Sequence, residues 1–246
     1  MSWSEYWKNI GDARFDKEPF TWRFYEMLLG EYDFKGKKVL EVGCGTGIDS
    51  IHMGRRGAKI YFLDMSSEAL RIARENAERF NIDAEYLNGN VLDYNFNGEF
   101  DIVHSNGTIE HFKGGLRQKF VDIHRDAVSK DGKVVILVPN LKCVPYRIGK
   151  FMSESIGVWP YGNEHPYSRR ELKARLEKAG LKVEKAIGGE LLFSLFWPFS
   201  PIYLPHLKWV RRGILAKARP KWVRLNYNNP PANRWGRLIG VVATKK

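Results

Sequence analysis

Two groups of residues in this chain have the types and spacing for chemistry. The first is Gly43, Gly45 and Gly47 in the run Val39-Leu-Glu-Val-Gly-Cys-Gly-Thr-Gly47, joined by Asp64 at the end of the apolar run Ile60-Tyr-Phe-Leu-Asp64, 17 residues beyond Gly47. An apolar strand, a glycine turn and a new helix make a nucleotide cradle. The glycines let the backbone approach a ligand, the helix start offers unpaired N–H groups, and an acid after the next strand can accept from two ribose hydroxyls. A dinucleotide fingerprint, Gly-x-Gly-x-x-Gly, would put its third glycine at Ile48; the Gly-x-Gly-x-Gly spacing argues against a dinucleotide. The second group is Ser105, Asn106, Glu110 and His111 in Ser105-Asn-Gly-Thr-Ile-Glu-His-Phe112. His111 can take a proton as general base because histidine titrates near neutral pH, and the polar neighbours can orient a nucleophile. No His, Cys or Asp cluster has metal-ligand spacing, so no metal is expected.

These residues need a scaffold that brings strand ends together. Val39 to Val42 reads as a first strand, a helix is expected from Gly47 to about Gly54, and the strand ending at Asp64 is followed by a serine-capped helix from Ser66. Ala84 to Leu87 is a third strand, Phe100 to His104 a fourth with the Ser105–Phe112 loop at its end, and residues 114–128 a helix. Lys133 to Val138 is a fifth strand covered on both faces, as its unbroken apolar run requires. Ser168 opens a helix with a capping box, Leu181 to Ala186 is a sixth strand and Leu238 to Thr244 a seventh.

The glycine turn, with Glu41 two places before its first glycine, resembles the first motif of the class I S-adenosylmethionine-dependent methyltransferases, and Asp64 resembles their second. The resemblance implies a doubly wound α/β sheet of seven strands, mostly parallel with an antiparallel last strand, and S-adenosylmethionine as cofactor. It implies that the cofactor lies among Glu41, Gly43, Cys44, Gly45, Gly47, Asp64, Met65, Asn90, Val91 and Ser105, with Glu41 toward the ammonium group. Asn90 stands where family members commonly carry an aspartate. Ser105 and Asn106 stand where amino-methylating nucleic-acid enzymes place a polar residue before two prolines; here Gly107 and Thr108 replace the prolines. Small-molecule methyltransferases often carry a Glu-His step like Glu110-His111 in this loop.

Composition sets outer limits. With 246 residues and 43% hydrophobic content, one α/β domain with additions is expected: a helical segment over 1–35, a lid or an ordinary docking element, and a methyltransferase domain over 36–246 with an insertion at 190–235. Cys44 and Cys143 lack a redox spacing, and the N-terminus lacks a signal pattern, so a cytoplasmic protein with reduced thiols is expected. A single glutamine among many Lys, Arg and Glu residues is a composition associated with thermophiles.

Charge is divided unevenly. Residues 1–140 carry a net −3 and residues 141–246 a net +15, and no acid follows Glu190. Lysines and arginines there alternate with tryptophans, a combination that grips phosphates and stacks unpaired bases. The expected acceptor is therefore RNA, with Tyr161, His165, Tyr167, Trp197, Arg211 and Arg212 as substrate-side residues; a similarity in general build to archaeal ribosomal RNA cytosine-N4 methyltransferases implies, more specifically, a ribosomal RNA base amine such as cytosine N4. Two alternatives stand beside it. One is a small or lipid-like acceptor at a membrane surface, since residues 191–204 are apolar enough to lie in an interface with basic residues behind them. The other is a cofactor-binding module that holds RNA without catalysis.

Overall fold

The computed structural model describes residues 3–10, 21–199 and 227–246. Its strands are Lys38–Val42 (β1), Lys59–Asp64 (β2), Ala84–Asn88 (β3), Phe100–Asn106 (β4), Val128–Pro139 (β5), Leu181–Gly189 (β6) and Leu238–Lys245 (β7). They form one sheet in the order β3-β2-β1-β4-β5-β7-β6. The first five run parallel, while β7 is inserted antiparallel between β5 and β6. The order reverses between β1 and β4, so the crevice at their C-terminal ends is the switch point where this architecture binds ligands.

Alternation along the strands explains the two covered faces. Val39, Ile60, Phe62, Ile102, Val135 and Leu137 point into one core layer, where they meet Trp22, Phe24, Tyr25 and Leu28 of helix α2 (Trp22–Leu29) and Ile51 and Met53 of α3 (Ile48–Gly54). Leu40, Val42, Val103, Val134, Ile136 and Val138 point the other way, toward Phe120, Val121 and Ile123 of α5 (Gly115–Ala127) and Leu172 and Leu176 of α7 (Arg169–Lys178). A period of two with both phases apolar is what a sheet covered on both sides demands.

Helix starts follow their local chemistry. The Ser66 hydroxyl accepts from the Ala69 N–H at 3.3 Å, opening α4 (Ser67–Arg79), and Ser168 accepts from the Glu171 N–H at 3.1 Å, opening α7. Each such cap contributes about 1 kcal/mol. One further helix lies in the segment over 1–35 that the sequence marks as helical, and another has no counterpart in the sequence pattern. Helix α1 (Trp3–Ile10) lies apart from the core layers, and α6 (Val144–Ser155) leaves Val144, Ile148, Phe151 and Met152 exposed. The described part of the 190–235 stretch comprises the short helix α8 (Leu191–Ser194), a 3-10 turn at Trp197–Phe199 and helix α9 (Pro230–Trp235). Among the described residues, no helix is long and apolar enough to cross a membrane.

Two histidines are built into the core beneath the switch point. His104 of β4 is enclosed, with the Tyr25 hydroxyl at Nδ1 (2.9 Å) and the Ser50 hydroxyl at Nε2 (2.7 Å), and burial pulls its pKa down to about 3. His124 donates from Nδ1 to the Phe120 carbonyl at 2.9 Å, leaving Nε2 to accept from Ser105 Oγ at 3.2 Å. Burial pulls its pKa down to about 4. A depressed folded pKa contributes stability above the unfolded value near 6.5 that is lost as pH falls toward the folded value. The stability advantage of the native chain over His124→Gln is therefore expected to shrink between pH 7 and pH 5 in denaturant titrations; a constant gap would contradict the buried neutral imidazole.

Candidate active site

Each glycine of the turn has a separate reason for its identity. All three have positive φ (68°, 52° and 68° at Gly43, Gly45 and Gly47). A Cβ on Gly43 would lie 2.5 Å from Thr108, one on Gly45 2.6 Å from the Trp7 ring, and one on Gly47 2.5 Å from Phe62. The turn is pinned to β2 because the Gly43 and Cys44 N–H groups both donate to the Leu63 carbonyl, at 2.7 and 3.2 Å. Asp64 completes the joint. Its Oδ2 accepts from the Gly45 N–H at 3.0 Å and its Oδ1 from the Ser66 N–H at 2.9 Å, tying the glycine turn to the start of α4.

A cavity of about 120 Å³ opens above this joint. Its floor is Val42, Gly43, Leu63 and Asp64; Met65 and the Gly89–Val91 turn form one wall, and Gly107, Thr108, His111 and Phe112 the other. Trp3 and Trp7 of α1 cover it. Trp3 packs edge-on to His111 at 4.8 Å between ring centroids, and Tyr6 of the same helix lies 5.9 Å from Tyr161.

The electrostatics suit a cation. Glu41, Asp49 and Asp64 are all buried around the turn. Burial raises all three carboxyls, most strongly Glu41, which Asp49 and Asp64 push further up and Ser50 partly relieves. Glu41 Oε2 is buried without a hydrogen-bond partner. An orphaned acid oxygen costs about 1–3 kcal/mol or more, and a positively charged group in the crevice would offset that cost. This fits the ammonium and sulfonium charges of S-adenosylmethionine, which supplies a methyl group on a positive sulfur when bound.

The structure separates the remaining candidates. Of the turn and strand-end residues, Gly43, Asp64, Met65, Asn90 and Val91 line the cavity, whereas Glu41, Cys44, Gly45 and Gly47 lie around it and shape the turn. The Asn90 side-chain oxygen caps the next turn by accepting from the Leu92 N–H at 3.1 Å. Ser105 is fully buried and its hydroxyl is given to His124, because β4 runs on through Asn106. Asn106 donates its amide to Asp49 at 2.8 Å, and Thr21 donates to the other oxygen of Asp49 at 2.6 Å, so it fixes the loop to α2 and α3. Glu110 is buried behind Gly107 with Oε2 unpartnered; burial and Glu164 both push its carboxyl up.

His111 alone of that group faces the cavity. Its Nδ1 lies 3.0 Å from the Asn163 carbonyl, which can only accept, so the neutral ring carries its proton on Nδ1 and its lone pair on Nε2; the Gly107 backbone also faces the ring. Burial lowers its pKa, and hydrogen bonding to the Asn163 and Gly107 backbone partly opposes that shift.

The substrate-side expectations are redrawn. Tyr167 is fully buried with the Arg117 guanidinium 3.7 Å over its ring, so its face is taken. His165 serves the loop: its N–H donates to the Glu110 carbonyl at 2.8 Å and its own carbonyl accepts from Arg117. Trp197 is 6% exposed and packs on Tyr146 and Trp159 at 5.1 and 5.8 Å, which removes it as a stacking platform for a base. Tyr161 is half-buried between Tyr6 and Trp159. Arg211 and Arg212 lie outside the described residues. No group of three or more His, Cys, Asp or Glu with metal-holding geometry occurs among the described residues. Sequence reading did not single out Trp3, Trp7, Asp49 or Asn163 for this site; the aromatic pattern of residues 3–7 was visible, but its destination depends on contacts far along the chain.

Geometry and sequence agree on the class. A family model for a methyltransferase domain matches residues 21–186, and the chain belongs to that family, as a class I S-adenosylmethionine-dependent methyltransferase. The chain is 28% identical over 188 residues to a ubiquinone biosynthesis O-methyltransferase of Ruegeria sp., covering 71% of this chain and 74% of that protein. It is 41% identical over 78 residues to the protein of the same name from Erwinia tasmaniensis, a match that spans 31% of this chain and only 32% of the relative. A possible histamine N-methyltransferase from Thermotoga maritima shares the fold with a TM-score of 0.64 at 17% identity, covering 92% of this chain and 87% of that one. Magnesium protoporphyrin IX methyltransferase from Synechocystis PCC 6803, solved with bound S-adenosylhomocysteine, does so with a TM-score of 0.62 at 12% identity, covering 98% and 94%.

These relatives correct the acceptor and partner expected from charge. Proteins named for ubiquinone biosynthesis act on a small molecule, and neither RNA methylation nor an RNA partner, ribosomal or otherwise, stands against that finding. The physical reason for the misreading is that surplus positive charge specifies an anionic surface and not a nucleic acid, and that Trp197, read as a stacking platform, is packed into an aromatic cluster with Tyr146 and Trp159. The thermophile composition finds no support in these relatives either.

Proposed function

We propose that this protein transfers a methyl group from S-adenosylmethionine to a hydroxyl oxygen on a planar, apolar small molecule. The observation that carries this reading is His111, which lines the cavity and whose Nδ1 is held by the Asn163 carbonyl, so that the neutral ring keeps its lone pair on Nε2. A hydroxyl must lose its proton as the new O–C bond forms, whereas an amine acceptor needs no such base to react. His111 takes that proton at Nε2; Trp3, Trp7 and Phe112 provide flat apolar surface for a ring. The names of the sequence relatives support an oxygen acceptor.

Asp64, Met65, Asn90 and Val91 would hold the nucleoside part of the cofactor, and Glu41 the charge of its amino-acid part. The present cavity is smaller than the roughly 300–1,000 Å³ of ligand sites. Helix α1 therefore moves outward to admit the cofactor and closes over it, excluding water from the reacting oxygen. Two free buried cysteines fit a reducing cytoplasm as the place of action. The test is methyl-labelled cofactor with matched alkyl-substituted phenol and aniline acceptors: label in an alkali-stable aryl methyl ether is expected, and label in the aniline alone overturns the reading.

A further inference from the structure

The face of α6 turned away from the core carries Val144, Ile148, Phe151 and Met152, continued by Ile156, and all five are exposed, Phe151 at 70%. Their successive spacings of four, three, one and four place them on one stripe of the helix. Packed against α6 is the turn at Trp197–Phe199, anchored by Trp197 on Tyr146, and this neighbour exposes Leu195, Phe196 and Phe199. Solvent-exposed apolar residues scattered singly need no explanation; eight on two adjoining elements do.

We propose that this face docks on an anionic lipid bilayer. A helix lying with its apolar stripe outward is convex, and it matches a planar, deformable interface into which phenylalanines insert to the depth of the headgroups. Charge complements it. Lys142, just before α6, and Arg147 on it are exposed, and the exposed acid of the helix, Glu154, is engaged by Lys150. Cations beside inserted aromatics attract anionic headgroups. The face also adjoins the site: Trp197 touches Trp159, Trp159 touches Tyr161, and Tyr161 touches Tyr6 on the helix that covers the cavity. An apolar acceptor dissolved in the bilayer would thus be delivered beside His111, an advantage that rests on the acceptor proposed above.

The experiment is co-sedimentation of the full chain with vesicles of phosphatidylcholine alone or mixed with phosphatidylglycerol, comparing the native protein with Phe151→Ser and Phe196→Ser. Binding to the mixed vesicles, weakened by salt and by roughly tenfold for each serine, is expected, with turnover of a water-soluble phenol unchanged in both variants. Sedimentation equal to the native protein in both variants, or no binding of the native protein to mixed vesicles, overturns the proposal. So does a native dimer that Phe151→Ser dissociates while vesicles are ignored, which would assign the face to a second copy. Vesicle binding lost in the variants of a protein that methylates no phenol leaves the docking face standing and removes the acceptor reading; phenol methylation without vesicle binding does the reverse.

Discussion

Replacing His111 by glutamine is expected to lower kcat/KM for a phenolic acceptor by about 100- to 10,000-fold, the range for losing a positioned general base, with little change in cofactor affinity. Glutamine keeps a polar side chain against the Asn163 carbonyl but has no titrating nitrogen to take a proton. The pH dependence separates this from a packing role. Because burial lowers the pKa of His111, the neutral, basic form prevails at pH 7, and kcat/KM of the native enzyme should fall only in acid, with a midpoint below the ordinary histidine value near 6.5. His111→Gln should lose that acid limb. A variant that raises KM at constant kcat and keeps the limb would mean that His111 merely packs against Trp3.

Asp64→Ala is expected to weaken binding of S-adenosylhomocysteine by about 1–3 kcal/mol, the worth of charge-assisted hydrogen bonds to ribose hydroxyls. The same change strips the acceptor from the Gly45 and Ser66 N–H groups, so the turn loosens and thermal stability falls as well. Asp64→Asn keeps one carbonyl oxygen and should lie between the two. Calorimetric titration against a thermal unfolding curve separates the effects: unchanged affinity in Asp64→Ala, whatever its stability, would remove Asp64 from the cofactor site and leave it as the fastener of the turn.

The sheet was legible because its strands are unbroken apolar runs ended by glycine, aspartate or asparagine, and the strands from Val39 to Thr244 fall where those runs are. The cofactor turn was legible for the same local reason: three positive-φ glycines can be read from spacing alone. What could not be read were contacts between distant segments. Ser105 looked free at a strand end, but β4 extends to Asn106 and delivers the hydroxyl to His124. Asn106 looked like a substrate ligand, yet Asp49, 57 residues earlier, holds its amide. Tyr167 looked like a stacking surface, and Arg117 from α5 covers it. Helix α6 escaped notice because the side it buries carries Tyr146, Gly149 and Ser153, which form no continuous apolar face. Charge misled most, since a surplus of lysine and arginine states only that an anionic surface is favoured and not whether phosphates belong to a nucleic acid or a bilayer.

The claim on which the rest depends is that donor and hydroxyl acceptor meet in the cavity between the glycine turn and His111. A structure of the protein with S-adenosylhomocysteine and an alkyl-substituted phenol tests it directly. The account predicts ribose hydroxyls on Asp64, α1 closed over the ligands, and the phenol oxygen within about 2.6–3.2 Å of His111 Nε2; a phenol bound away from His111, or a cofactor product seated without contact to Asp64, would contradict it.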